Sequence, residues 1–111
     1  MDRLNDFRRI ICDVLSEYVR IQYANGDIQN EAVFDSANDR YLIVSVGWQD
    51  ARRVHGVLIH IDITGDKIWI QRDGTEYGIA NELVKAGIPK EHIVLGFHAP
   101  DVRQYTDFAV V

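Results

Sequence analysis

Two strand-like runs joined by a two-residue turn constrain the fold of this chain more than any other feature. The run 53–64 predicts a β-strand, in which successive side chains point to opposite faces of the sheet, and its second half alternates strictly between apolar and polar residues. We expect the buried face to carry His55, Val57, Ile59, Ile61 and Ile63, and the opposite face to carry Val54, Leu58, His60 and Asp62. Gly65 and Asp66 form the turn, and in the next strand, 67–72, Ile68 and Ile70 continue the buried face. Trp69 therefore faces the other side.

A helix and two further strands precede this hairpin in the predicted architecture. From residue 3 to about residue 22, apolar residues recur every three or four positions, which predicts an amphipathic helix. The turn-forming segment 25–27, Asn-Gly-Asp, should end it. Strands are predicted at 28–35 and 40–48, and the short polar loop 36–39 between them favours antiparallel pairing.

A second helix is expected after the hairpin. Asp73 is placed to cap its N-terminus, with Glu76 three residues later completing a capping box. Gly87 followed by Pro89 is a stop signal. The segment 93–111 shows no clear period and is predicted as an irregular tail. The order of helix, four-stranded meander, helix and tail predicts an α+β fold in one domain spanning residues 1–111.

Charge and cysteine content exclude several classes of protein. Among 111 residues, 17 are acidic and 12 basic, and the formal charge of −5 disfavours free-standing binding to nucleic acid. Cys12 is the single cysteine, so neither an internal disulfide nor a thiolate zinc site can form. No basic and apolar leader opens the chain, and no apolar run approaches the roughly 18 residues of a membrane span. We therefore expect a cytoplasmic protein without membrane contact.

The side chains capable of chemistry do not form a known catalytic motif. Ser45 lies in an apolar strand and Cys12 in the middle of a helix, where both are typical packing residues. No two histidines have the helical spacing of a compact zinc site, and no glycine-rich phosphate loop is present. We therefore predict no cofactor. The alternative is a metal-dependent hydrolase or nuclease subunit that uses His60, Asp62, Asp73 and Glu76 with a divalent cation.

Aromatic and arginine residues near the strand ends are better candidates for function. These residue types carry much of the binding energy at protein interfaces. The candidate interaction residues are Trp48, Arg52, Arg53, His60, Asp62, Trp69, Gln71, His98 and Arg103. In one alternative, both tryptophans fill the core; in another, Arg52, Arg53 and Arg103 bind DNA directly, which the net charge opposes. Stacking of two sheet faces in a homodimer is also compatible with this pattern.

Ordered sequence blocks along nearly the whole chain resemble the XisI family, the excision controlling factors of the fdxN element in filamentous cyanobacteria. The blocks are Val-Gly-Trp at 46–48, Arg-Arg-Val-His-Gly at 52–56, His-Ile-Asp-Ile at 60–63, Lys-Ile-Trp-Ile-Gln at 67–71, Asp-Gly-Thr-Glu at 73–76, Gly-Ile-Ala-Asn-Glu-Leu at 78–83, Gly-Ile-Pro at 87–89, Ile-Val-Leu-Gly-Phe-His at 93–98 and Arg-Gln-Tyr-Thr-Asp-Phe-Ala-Val at 103–110. Tyr77 replaces an acidic residue and Asp107 a glutamate of the family pattern, and both changes are mild.

The resemblance implies an accessory role beside a site-specific recombinase that excises the fdxN element during heterocyst differentiation. A XisH-like protein is the partner that it implies, with the recombinase and DNA engaged indirectly. The family offers no active site to carry over, so the resemblance assigns no catalytic residue. The sequence therefore predicts a non-catalytic regulatory protein that acts through protein contacts.

Overall fold

The computed structural model describes residues 3–21 and 27–111, and over these ranges the protein has an α+β architecture. The elements in chain order are α1 (Arg3–Ile21), β1 (Ile28–Asp35), β2 (Arg40–Gln49), β3 (Arg52–Thr64), β4 (Lys67–Asp73), α2 (Ile79–Lys85), a 3₁₀ turn (Lys90–His92), β5 (Ile93–Leu95) and the single turn α3 (Pro100–Arg103). The α+β class is confirmed. The Asn25-Gly26 part of the predicted helix exit lies outside the described residues.

One five-stranded sheet, in the order β1-β2-β3-β4-β5, organises the described chain. The four predicted strands pair as antiparallel neighbours, as expected for a meander. The fifth strand pairs with β4 in parallel and falls in the predicted irregular tail. Ile93, Val94 and Leu95 form a strand of only three residues, which is too short for a period of two to be recognisable in sequence.

Helix α1 packs its apolar stripe on one face of the sheet. Phe7, Ile11 and Leu15 recur every four residues and are buried in a cluster with Ile43 and Ile61 of the sheet. The helix is also tied to the turn between β1 and β2, because Arg8 donates through Nε and Nη2 to the two carboxylate oxygens of Asp39, at 2.8 and 3.1 Å. Helix α2 adds Ile79, Ala80 and Leu83 to the same cluster. This face of the sheet is therefore the core.

A β-bulge in β3 changes which residues of the strand face the core, compared with the predicted alternation. Ile43 pairs with Ile59 but the next residue, Val44, pairs with Val57, so Leu58 is an extra residue on β3. The extra residue shifts the N-terminal half of the strand to the other face. Ile59, Ile61 and Ile63 are buried as predicted, but the assignment of His55 and Val57 to the core is wrong, since both are exposed. Leu58, expected on the other face, packs against the core.

The start of the second helix also differs from the prediction. Helix α2 begins at Ile79, with Gly78 in the N-cap position, so the capping box of Asp73 and Glu76 is wrong. Asp73 lies at the end of β4, where its Oδ2 accepts the N–H of Ile79 at 2.7 Å and its Oδ1 accepts the N–H of Thr75 at 2.9 Å. Aspartate thus stabilises the helix start across the loop rather than from the N-cap.

The segment after β5 folds back along that strand. The N–H of Ala109 donates to the carbonyl oxygen of Ile93 at 2.8 Å, and Ala109 forms a parallel bridge with Val94. Phe108 packs against the core cluster. None of the helices in the described ranges has both the length and the apolar character needed to span a membrane.

Candidate functional site

A carboxylate on the sheet face opposite α1 is the centre of the polar cluster predicted from the sequence. Asp62 is only 9% exposed. His60 Nε2 lies 2.8 Å from its Oδ1, and Gln71 Nε2 donates to its Oδ2 at 3.3 Å. Arg40 Nε lies 3.4 Å from Oδ1. A second bulge allows Gln71 to reach Asp62. Ile61 pairs with Ile70 and His60 with Arg72, which leaves Gln71 as the extra residue of β4.

Trp69 lies beside this cluster and supports the C-terminal segment. It is the cross-strand partner of Asp62, and the guanidinium carbon of Arg103 lies 5.1 Å from its ring centroid. Arg103 also donates through Nε to the carbonyl oxygen of His98 at 3.0 Å and through Nη1 to that of Val110 at 3.4 Å. A Cβ on Gly96 would lie 3.2 Å from Trp69 Cε3 and 2.8 Å from Gln71 Oε1, so glycine permits the close approach of this segment. One face of the indole is therefore already occupied.

We name this group the Asp62 cluster: Arg40, His60, Asp62, Trp69, Gln71 and Arg103. Arg103 is only 9% exposed, so it is poorly placed for the DNA phosphate contacts considered from the sequence. His98 contacts the cluster through its backbone carbonyl, while its ring packs against Phe97 in a tilted arrangement with 4.6 Å between the centroids. Arg40 was not among the predicted residues, because only the register of β2 against β3 brings it to Asp62.

The remaining predicted interaction residues form a separate patch at the turn between β2 and β3. Trp48 is 50% exposed, so the alternative that both tryptophans fill the core is wrong. The guanidinium carbon of Arg53, its cross-strand partner, lies 5.3 Å from the Trp48 ring centroid. Arg52 donates to the side-chain oxygen of Gln49 at 2.8 Å. Arg53 and His60 are seven positions apart, which is roughly 20 Å along a strand, so the two patches are distinct.

The four residues of the metal-dependent alternative do not converge. His60 and Asp62 lie in the Asp62 cluster, whereas both carboxylate oxygens of Asp73 accept bonds from the loop 75–79. Glu76 lies exposed in that loop. Across residues 3–21 and 27–111, no three acidic, histidine or cysteine side chains form a group able to hold a metal ion.

The two nucleophiles considered from the sequence also lie away from the Asp62 cluster. Ser45 Oγ donates to Asn30 Oδ1 at 2.6 Å, in the pairing of β1 with β2. Cys12 packs against the core from α1, and burial raises the pKa of its thiol, which keeps it protonated and unreactive. The cluster can therefore hold hydrogen-bonding and aromatic groups in fixed positions, but neither nucleophile is available to it.

A shallow groove of about 1200 Å³ lies between α1 and the loop before α2. Asp13, Glu17, Glu76 and Glu82 give it an acidic wall, and the exposed Tyr77 lines it. None of the predicted interaction residues lies there. The groove and the Asp62 cluster are thus different surfaces.

Comparison with known proteins decides the family. The sequence profile of the family described as "XisI protein" matches residues 1–110. This chain belongs to the XisI family. The crystal structure of a XisI-like protein from Anabaena variabilis superposes with a TM-score of 0.88 at 36% sequence identity, covering 98% of this chain and 100% of the other. No curated protein matches the sequence significantly.

A second XisI structure extends the similarity to a protein named for its role. The crystal structure of the fdxN element excision controlling factor XisI from Anabaena variabilis has a TM-score of 0.85 and 33% identity, covering 99% of this chain and 100% of the other. The five-stranded fold described above is therefore that of the XisI family. The predicted resemblance is confirmed over residues 1–110.

Proposed function

We propose that this XisI-family protein is a non-catalytic accessory factor in site-specific DNA excision, and that it acts by binding a XisH-like protein. Through that partner it supports a recombinase on DNA in the cytoplasm. The relative from Anabaena variabilis is named as an excision controlling factor, which supports a regulatory role. The acidic net charge of −5 supports indirect rather than direct contact with DNA.

The observation that carries the proposal is the composition of the Asp62 cluster. Its carboxylate is satisfied by His60, Gln71 and Arg40, so the cluster is preorganised. Beside the carboxylate, Trp69 is half-buried and Gln71 is exposed. Preorganised aromatic and polar groups are what a protein interface uses for affinity and orientation. A partner surface that buries Trp69 would gain both affinity and a fixed orientation.

Co-purification of the tagged protein with a XisH-like protein encoded beside it tests the proposal. Size-exclusion chromatography with light scattering should show a stable hetero-complex. Trp69→Ala should weaken it by about 2 kcal/mol or more, which is the loss expected for an interface anchor. Tyr77→Ala is the matched control, because Tyr77 is 83% exposed and lies on the loop before α2.

Two further variants separate binding from folding. Asp62→Asn keeps the shape of the cluster while removing the charge that orients His60, and it should weaken the hetero-complex with the fold intact. Trp48→Ala tests the patch at the turn between β2 and β3. A folded Trp69→Ala protein that binds its partner with unchanged affinity would remove the Asp62 cluster from the proposal.

A further inference from the structure

An apolar strip on the sheet face opposite α1 is left uncovered by the described residues. On β2 the residues that alternate with the buried Tyr41 and Ile43 point to this face, and their cross-strand partners on β1 and β3 share it. We call these residues the aliphatic strip: Val33, Leu42, Val44, Val46 and Val57. Val33 is 49% and Val57 36% exposed, and the other three are half-buried. The C-terminal segment contacts this face at Trp69 on β4, whereas the exposed Val33 and Val57 lie on β1 and β3.

Opposite charges flank the aliphatic strip. On one side Glu31 of β1 is the partner of Val44, and both lie at the level of Val57. On the other side Arg72 of β4 donates through Nε to the carbonyl oxygen of Val57 at 2.8 Å, which holds its guanidinium beside the strip. Within the described ranges, neither Glu31 nor Arg72 has an oppositely charged group within 4.0 Å. The strip is thus acidic on the β1 flank and basic on the β3–β4 flank.

We propose that a second copy of this chain covers the aliphatic strip in a symmetric homodimer whose two-fold axis runs along β2. Rotation about that axis turns one sheet over and exchanges its flanks, so β1 of each copy faces β3 of the other. Glu31 of one copy then reaches Arg72 of the other beside Val57, twice by symmetry, while the strip meets itself. A two-fold axis in the same plane but perpendicular to β2 would instead place the Glu31 flank on the Glu31 flank.

The size of the strip predicts the strength of the dimer. Three strands spaced about 4.8 Å apart and about seven residues long give a footprint of roughly 300 to 400 Å² per copy. Specific interfaces commonly bury about 800 Å² of accessible surface per partner. The dimer should therefore be weak and concentration-dependent. The strip adjoins the Asp62 cluster, because Leu42 of β2 pairs with His60 of β3. The dimer is tested with this chain alone, so its test does not depend on the hetero-complex proposed above.

Sedimentation velocity of the full chain over a series of concentrations tests the dimer. The wild type should pass from monomer to dimer as concentration rises. Glu31→Arg alone and Arg72→Glu alone should each weaken dimerisation by about tenfold or more, because each places like charges across the interface. The double variant with both substitutions restores the opposite pairing and should recover most of the dimer.

Controls distinguish this surface from general changes in charge or stability. Glu76→Arg makes the same charge change in the loop before α2 and should leave the dimer unchanged. Val44→Lys places a cation in the centre of the strip and should abolish dimerisation, with folding checked by circular dichroism. A wild type that stays monomeric throughout would overturn the proposal, as would a double variant that fails to regain the dimer. If the chain is monomeric and Val44→Lys prevents it from binding the XisH-like protein, the strip is an interface with that protein and the homodimer proposal is wrong.

Discussion

The guanidinium of Arg103 lies over the indole of Trp69, with 5.1 Å between its central carbon and the ring centroid. The contact joins the C-terminal segment to the sheet face opposite α1 and α2. It also gives Trp69 two roles, since its ring contacts Arg103 of the C-terminal segment and its residue is the cross-strand partner of Asp62. A substitution at Trp69 is therefore expected to affect the C-terminal segment as well.

Arg103→Ala should destabilise the protein by about 2 to 3 kcal/mol. The substitution removes the cation–π contact and leaves the carbonyl oxygens of His98 and Val110 without their guanidinium donor. Urea denaturation measures the loss. Arg103→Lys is the matched variant: it keeps the charge but not the planar fork, so it should recover only part of the stability. Equal stability of the lysine variant and the wild type would contradict the importance of the two carbonyl contacts.

Asp39 should make the stability of the protein depend on pH. Hydrogen bonds from Arg8, in the first place, hold the pKa of this carboxyl below its usual range. A carboxylate with a lowered pKa stabilises the folded state above its unfolded pKa of about 3.9, and this stabilisation is lost as pH falls through the folded pKa. Asp39→Asn should thus lower the free energy of unfolding at neutral pH by about 1 kcal/mol, since the pair is partly exposed.

The difference between wild type and Asp39→Asn is measured by urea denaturation at several pH values. It should be constant above about pH 5 and should shrink below pH 4. Asparagine is a suitable replacement because Asp39 has φ 55°, a left-handed conformation that asparagine adopts readily. A difference that grows at acid pH would contradict the predicted sign.

Gly47→Ala should disrupt the pairing of β1 with β2. A Cβ at this position would lie 2.0 Å from the carbonyl oxygen of Asp27 and 2.7 Å from the Cα of Ile28, so the backbone would have to move. We expect a loss of about 2 to 4 kcal/mol in thermal or urea denaturation. Gly56→Ala is the matched control in β3, since its Cβ would meet nothing within 4 Å and should change stability by less than about 1 kcal/mol. Similar losses for both variants would contradict the role assigned to close packing at Gly47.

Asp73→Ala should loosen the start of α2. It removes the acceptor of the Ile79 N–H at 2.7 Å and of the Thr75 N–H at 2.9 Å, as well as the Thr75 hydroxyl contact. The expected loss is about 1 to 2 kcal/mol, comparable to the loss of a helix cap. Hydrogen exchange should show faster opening of the amides of Thr75 and Ile79. Glu76→Ala should leave the exchange rates of these amides unchanged. Equal effects of both variants would instead support the capping box of Asp73 and Glu76.

The local elements of this fold follow from patterns that short segments carry by themselves. The spacing of Phe7, Ile11 and Leu15 predicts α1, and the alternation of Ile59, Ile61 and Ile63 predicts a half-buried strand. The turn at Gly65 and Asp66 predicts the hairpin, which β3 and β4 form. Aromatic and polar residues predicted on the face opposite the core, including Asp62 and Trp69, lie together there.

Long-range pairing decided what these patterns left open. The register of β3 against β2 makes Leu58 an extra residue of β3. This extra residue places His55 and Val57 on the open face, where Val57 belongs to the aliphatic strip. The same register brings Arg40 to Asp62, and β5 forms where three residues pair with the free edge of β4. Periodicity is a property of neighbouring residues, so the sequence determined the elements and their buried faces. Register and edge pairing depend on residues far apart in the chain, so only the tertiary structure decided which side chains meet.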